Sequence, residues 1–352
     1  MKILIIFIIN ISFTVILFFL IEAGYRSYIL KTCDISCAFD YVNTNTGYLD
    51  ENIDVALTKF DKRLGSLPRP FFDSKEIEKW TMGRLTVNKN GFRGNGNHIK
   101  FKKKFFKILA VGDSFTFGYQ VGDQETWPAC VEYNLRAEVD NGGIFGYGVA
   151  QSILRADLEL ITKQYDVVIL AILVGNGFAR DQLFFRSGFS KPAVIFDNGK
   201  IGYSIPISIE DYKAKQSGFM NLAGELRNKS FVANEVMDYL EITPAAPRMS
   251  LKHPSAASIP EIVKFSLEKF STISARKILI FDYQDPRPQG LTEKEKSELA
   301  LIHKFARKLD IEIIDPLSKF RSFPEKMVWN GHHTQFGNKL ICDLVVDKLK
   351  QD

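Results

Sequence analysis

Cysteine is scarce in this chain, with four in 352 residues, and that scarcity excludes a small disulfide scaffold. Glycine (24) and proline (13) are too few for a collagenous protein. An excess of one charge is also missing. Lys and Arg number 46 against 41 Asp and Glu, a formal net charge of +5, with 25% of residues charged and 45% hydrophobic. Such a balance excludes a disordered or coiled-coil chain, and the small basic excess, spread along the sequence, argues against nucleic acid as a partner. Internal repeats and low-complexity tracts are lacking as well. The length fits one large domain or two moderate ones.

One long hydrophobic run is present. Residues 3–21 carry no charge and only three polar side chains, Asn10, Ser12 and Thr14. As a helix rising ~1.5 Å per residue the run would extend about 28 Å, close to the hydrocarbon thickness of a bilayer. A cleaved signal peptide is the competing reading, since Lys2 precedes the run. Its apolar region should span only about 7 to 15 residues and end at a small-residue cleavage site. Glu22-Ala23-Gly24-Tyr25-Arg26 offers no A-x-A pattern, so residues 1–26 are expected to form an uncleaved single-pass anchor. Lys2 on one side and Arg26 and Lys31 on the other leave the orientation open. Cys33 and Cys37 could close a small disulfide loop in an oxidising compartment. No paired histidines or C-x-x-C accompany them, so a zinc site is not expected. Cys130 and Cys342 sit in apolar contexts and are expected to be buried thiols.

Residues 27–104 form a lead-in or stalk, polar and turn-rich from about Asp40 to Asn97. A basic cluster at Lys100, Lys102–Lys104 and Lys107 reads as a solvated edge, with contact to anionic lipid as the alternative. Beyond it, short apolar runs at 107–112, 166–174, 277–283 and 311–315 read as buried parallel strands. Stretches of helical spacing separate them, including Trp127–Val139, Ile262–Ile273 and a face from Phe336 to Leu349. The alternation predicts a doubly wound α/β domain over 105–352, with a mainly parallel sheet, helices on both faces and an insertion at about 182–250. Phe184, Phe185 and Phe189 in that insertion either pack on the sheet, the reading we favour, or line an acyl pocket. Ligands of open α/β sheets bind beyond the carboxyl ends of the strands, which directs attention to the residues after 112, after 174 and after the last strand.

Gly112-Asp113-Ser114-Phe115-Thr116-Phe117-Gly118 follows the first strand. A phosphate-binding loop would require G-x-x-x-x-G-K-[ST]; here five residues separate the glycines and Tyr119 stands at the lysine position. The elbow G-x-S-x-G is not met either, because Thr116 occupies its last position. A serine on a sharp strand-to-helix turn nevertheless has the geometry of an activated nucleophile, or more simply of a helix cap.

This segment resembles the first motif block of the SGNH/GDSL hydrolases, whose nucleophile lies in a Gly-Asp-Ser triplet. Three more stretches resemble later blocks in the family's order: Asn141-Gly142-Gly143-Ile144-Phe145-Gly146-Tyr147-Gly148, Gly175-Asn176-Gly177, and Asn330-Gly331-His332-His333-Thr334-Gln335-Phe336-Gly337. The resemblance covers about residues 105–350, and Asn88–Gly94 is similar to the stretch preceding the domain in membrane-anchored members. It implies a three-layer, flavodoxin-like α/β fold and a serine esterase working without metal or cofactor. By the same match Ser114 is the nucleophile and His332 the base, with His333 in reserve. The oxyanion would be held by the N–H groups of Ser114 and Gly146 and by the Asn176 amide. Taken singly, Gly146 could be a left-handed turn glycine and Asn176 a turn former.

The chain departs from the pattern at Asn330, where the family has the aspartate that orients the histidine, and Gly177 replaces another usual Asp. Asn330 can fix the ring through its carbonyl but cannot stabilise an imidazolium by charge, and in a serine protease the corresponding Asp to Asn change costs about 10⁴-fold in turnover. A working but weakened Ser-His dyad is favoured; an acid from elsewhere, a backbone carbonyl behind the ring, or a pocket without activity are the alternatives. The substrate implied is an O-acyl ester of a carbohydrate or lipid, in modification of surface polysaccharide by an extracytoplasmic domain. An O-acyltransferase using the same acyl-enzyme, and a non-catalytic scaffold of a glycan-assembly system, are the competing functions.

Overall fold

The computed structural model describes residues 16–22, 24, 57–76, 83–96, 106–186, 189–215, 218–220, 222, 232, 236, 250–283 and 290–351. Most of the proposed anchor, Cys33, Cys37 and Lys100–Lys104 lie outside them. The chain divides into two units, Met1–Ile53 with Ser208–Met249, and Asp54–Ile207 with Ser250–Asp352. In the first, residues 16–22 are helical, as is Ile209–Ala214, and the buried Glu22 carboxylate accepts the Val232 N–H at 2.9 Å. Among the described residues no helix is long and apolar enough to cross a membrane.

The second unit is built on five strands, β1 (Lys107–Val111), β2 (Glu138–Asn141), β3 (Val167–Leu173), β4 (Arg276–Asp282) and β5 (Glu312–Ile314). They pair in the order β2-β1-β3-β4-β5, every pair parallel. All seven residues of β3 are buried, as expected of a central strand covered on both faces. Alternate side chains serve two cores. Ile108, Ala110, Ile169 and Ile280 pack with α1 of the outer layer, Trp127–Leu135, and with the last helix α2, Gln335–Lys350. Leu109, Val111, Leu170 and Phe281 face the opposite way, toward helices Val149–Leu160, Ile259–Ser271 and Glu293–Lys308. The strand order changes direction between β1 and β3, so the loops after these two strands diverge and open a crevice at their carboxyl ends.

Four of the five strands lie where the apolar runs predict them. Strand β2 does not. Helical spacing carries Trp127 on to Val139, but α1 stops at Arg136, which adopts a left-handed conformation (φ 50°), and Glu138–Asn141 then pairs along the sheet edge. Only Val139 and Asn141 of that strand are buried, too short an alternation to register as a strand.

Cys130 and Cys342 correct a second expectation. They are not thiols but a disulfide joining α1 to α2, with a Cα–Cα distance of 5.9 Å across a sequence separation of 212. Both sulfurs lie on the shared apolar seam of these helices, which is why the sequence context reads as burial alone. A disulfide closing a long loop typically contributes about 2–4 kcal/mol. Dithiothreitol should therefore lower the urea midpoint of the native protein by that equivalent and leave a Cys130→Ala/Cys342→Ala variant unmoved; equal shifts in both would show that the bond contributes nothing.

Residues 57–76 and 83–96 pack as a layer of the second unit. The hairpin Thr58–Asp61/Gly65–Pro68 leads into it, and Leu57, Phe72, Leu85 and Val87 bury Phe117 from the turn after β1. Arg93, fully buried, donates to the Val121 carbonyl and stands 3.2 Å from the Asp123 carboxylate. Its backbone bridges to Asn141, which ties the layer to the sheet edge. The insertion also has structure within this unit. Leu183–Arg186, Phe189–Ser190 and Leu251–Lys252 form a small antiparallel sheet, and Val194–Asp197 pairs with Lys200–Tyr203. Phe185 is buried and the Phe184 ring lies tilted against it, centroids 5.0 Å apart.

Candidate active site

Ser114 opens a single helical turn, Ser114–Phe117, directly after β1. Asp113 caps the turn by accepting the Phe115 N–H at 2.9 Å, and Gly118 ends it in the left-handed conformation. The short turn aims the Ser114 hydroxyl out of the carboxyl edge of the sheet. His332 meets it there. Its Nε2 lies 2.7 Å from Ser114 Oγ, although 218 residues separate the two in the chain.

His332 belongs to a two-residue strand, His332–His333, paired with Trp329–Asn330. Gly331 makes the tight turn (φ 81°), Gln120 Oε1 accepts the His332 N–H at 3.1 Å, and the ring lies against Phe115 and Tyr119. Thr334 then caps α2 by accepting the Gly337 N–H. Adjacent residues of a strand point to opposite faces, so only one histidine can face the serine. His333 points inward, fully buried against Phe115 and Phe320, with Nδ1 3.8 Å from Asp282 Oδ1.

Asn330 is directly opposite His332 in this register, but it is exposed, and among the described residues its side chain makes no hydrogen bond to the ring. The electrostatics of the ring come from elsewhere. Burial pushes His332 down to about 4; the Asp113 carboxylate pulls the other way, while Arg180 and Arg186 add to the fall. Asp113 is itself held by Arg180, Nη1 to Oδ2 at 2.5 Å.

The 141–148 loop is fastened to the serine turn through its backbone. Asn141 Nδ2 donates to the Thr116 carbonyl and Asn141 Oδ1 accepts the Gly143 N–H. A Cβ on Gly143 would stand 2.3 Å from the Phe117 nitrogen and 2.9 Å from the Asp113 carbonyl, so only glycine lets the two backbones approach this closely. Gly146, in the left-handed region (φ 68°), follows at the mouth of the crevice, its carbonyl accepting from Lys191 Nζ at 3.0 Å. On the other side, Gly175-Asn176-Gly177 turns back at the end of β3. Gly175 has φ 81° and donates to Glu298 at 2.7 Å, and Gly177 donates to the Leu173 carbonyl at 2.7 Å.

The geometry thus joins Ser114 to His332 and sets the Gly146 and Asn176 turns at the ends of neighbouring strands. It leaves Asn330 at the surface and turns His333 away. Five contributors escaped sequence reasoning: Arg180, Asp181, Arg186, Lys191 and Asp282. Asp181 accepts the N–H groups of Ala150 and Gln151 at the start of helix Val149–Leu160, where a carboxylate is favoured. Lys191 is buried beneath Gly146 and donates to Gln151 Oε1. Burial holds Asp282 well above the usual carboxylate range and pushes His333 down to about 3, so His333 is neutral at physiological pH. Asp282 alone carried a readable signal, as a carboxyl group at the carboxyl end of a predicted strand; the other four lie in the insertion or before it, without periodicity.

No family model matches the chain, and no curated protein matches it. Among solved structures it is similar to a lipase/acylhydrolase from Enterococcus faecalis, at 16% identity and TM-score 0.39, covering 70% of this chain and 96% of that one. It is also similar to a member of the lipolytic protein G-D-S-L family from Veillonella parvula DSM 2008, at 14% identity and TM-score 0.40, covering 70% and 99%. A psychrotrophic esterase from Pseudoalteromonas sp. aligns at 11% identity and TM-score 0.37, covering 70% and 97%. Likenesses this loose carry no argument about activity, which rests on the chain's own residues.

Proposed function

We propose that this protein is a serine ester hydrolase of the SGNH type, acting on O-acyl esters of carbohydrate or lipid. The observation that carries the reading is the 2.7 Å contact between His332 Nε2 and Ser114 Oγ at the point where the sheet order reverses. Neutral His332 takes the hydroxyl proton as Ser114 Oγ bonds to the acyl carbon. The Ser114 and Gly146 N–H groups and the Asn176 amide receive the developing oxyanion. Collapse expels the alcohol with the proton from His332, and water, deprotonated by the same ring, releases the acid. In place of the charge that an aspartate at position 330 would carry, Asp113 supplies the nearby negative potential that favours the imidazolium.

Modification of surface polysaccharide by an anchored, extracytoplasmic domain is part of the same proposal. The apolar run at residues 3–21 supports the anchor, and the Cys130–Cys342 disulfide supports an oxidising compartment. The test is release of p-nitrophenol from p-nitrophenyl acetate by the purified protein over a range of pH. Because His332 stays neutral down to about 4, kcat/KM should hold through mildly acidic pH and fall along an acid limb near that value. A limb at the ordinary histidine position would mean that another base is at work. Acylation of Ser114 with turnover only when a sugar alcohol is added would identify a transferase.

A further inference from the structure

A glycine adopts either sign of φ at little cost, so Gly146 cannot by itself hold the φ of 68° that directs its N–H. That N–H is half-buried and among the described residues makes no hydrogen bond, as an oxyanion donor requires. The restraint comes through the carbonyl of the same residue. Lys191 Nζ donates to Gly146 O at 3.0 Å and to Gln151 Oε1. Lys191 is 2% exposed, and its Nζ stands 5.6 Å from the centre of the Tyr147 ring. Gln151, fully buried, also accepts the Gly148 N–H at 3.4 Å and donates to the Leu64 carbonyl at 2.7 Å. Tyr147 reaches the same hairpin, its hydroxyl donating to the Ser66 carbonyl at 2.5 Å. Lys191 is itself set by that hairpin: a Cβ on Gly65 would stand 2.0 Å from the Ser190 carbonyl oxygen and 2.9 Å from Lys191 Cα, so the two backbones touch.

The charged groups facing Lys191 are Asp181, Arg186, Arg180 and Asp113. Burial pushes its pKa down and the Asp181 carboxylate opposes the fall. An ammonium and a neutral amine both carry enough N–H donors for two acceptors, so the hold on Gly146 does not depend on the charge. Resting on the esterase reading, we infer that Lys191 is a positioning residue: its Nζ fixes the Gly146 peptide so that the Gly146 N–H faces the oxyanion, with the lead-in hairpin Thr58–Asp61/Gly65–Pro68 as the floor it is braced against. A reacting group misplaced by about 1 Å loses roughly a hundredfold in rate.

The test measures kcat and KM for p-nitrophenyl acetate beside the inhibition constant of a short alkylboronic acid, whose tetrahedral adduct with Ser114 sets an oxygen where the oxyanion forms. Lys191→Met keeps the length of the side chain and removes its donors. It should lower kcat by roughly tenfold to a hundredfold at nearly constant KM and weaken the boronate by a similar factor. The acid limb of the pH profile should stay in place, because Lys191 is not among the groups that shift the His332 ring. Lys191→Gln, with an N–H donor on a shorter chain, should recover part of the loss, and thermal melts establish that each variant is folded. If the methionine variant does not fold, the glutamine variant carries the comparison, its loss confined to kcat and the boronate. Values within about threefold of native in the folded variant, or a loss that moves the acid limb instead, would overturn the inference and leave the esterase standing. Labelling of Ser114 by a fluorophosphonate, in which Oγ displaces fluoride while the phosphoryl oxygen draws on the same donors, separates the two readings. Labelling that slows in Lys191→Met although native protein turns over no ester keeps the role of Lys191 and removes the esterase. Labelling that does not slow overturns the role, and native protein that does not label at all loses both.

Discussion

Alanine at Ser114 is expected to lower hydrolysis of p-nitrophenyl acetate by about 10⁴-fold or more, the range seen when a serine hydrolase loses its nucleophile. Two features make the result specific. Among the described residues the hydroxyl bonds to His332 alone, whereas the turn is held by Asp113, by the Ser114 carbonyl accepting from Gly118 and Tyr119, and by the Asn141 bond to Thr116. Alanine keeps all of these and favours helix, so stability should change little. Residues acting as one unit are also non-additive. Ser114→Ala combined with His332→Ala should be no slower than the worse of the two alone. Turnover that persists in Ser114→Ala would end the acyl-enzyme proposal.

The second large effect concerns Asn176. Removing an oxyanion donor typically costs about 10²- to 10³-fold in kcat, roughly 2.7–4 kcal/mol of transition-state stabilisation. The turn around Asn176 is fixed by backbone bonds: Asn176 N–H to the Leu173 carbonyl, Arg180 N–H to the Asn176 carbonyl, and Gly175 N–H to Glu298. Asn176→Ala retains every one, so kcat should fall with KM nearly unchanged. Asn176→Asp should be worse still, because it sets a negative charge where charge develops. A loss of less than about threefold in the alanine variant would remove Asn176 from the oxyanion role.

What could be read from the sequence was whatever repeats locally. Three of the apolar strands announce themselves because a central parallel strand is apolar on both faces, the short edge strand β5 because it lies in an apolar run, and the serine and histidine blocks because each follows a strand end or opens a capped helix. Of the two adjacent histidines, the ring that meets Ser114 is that of His332. Strand β2 was hidden because an edge strand needs only two buried side chains. The disulfide was hidden because pairing between residues 212 apart depends on how two helices lie together, which no local pattern encodes. The same holds for Arg186, which only the folded chain brings near enough to His332 to influence its ring.

The Cys130–Cys342 bond has a topological consequence for catalysis. Cys130 comes 16 residues after Ser114 and Cys342 only 10 after His332, so the disulfide replaces a tether of 218 residues between the two side chains by a covalent detour of a few turns. With loop-closure entropy growing as (3/2)RT ln n, this shortening is equivalent to about 2 kcal/mol in the cost of bringing the two together. Should the middle strands or the insertion open transiently, the serine and histidine would stay leashed to each other through the disulfide.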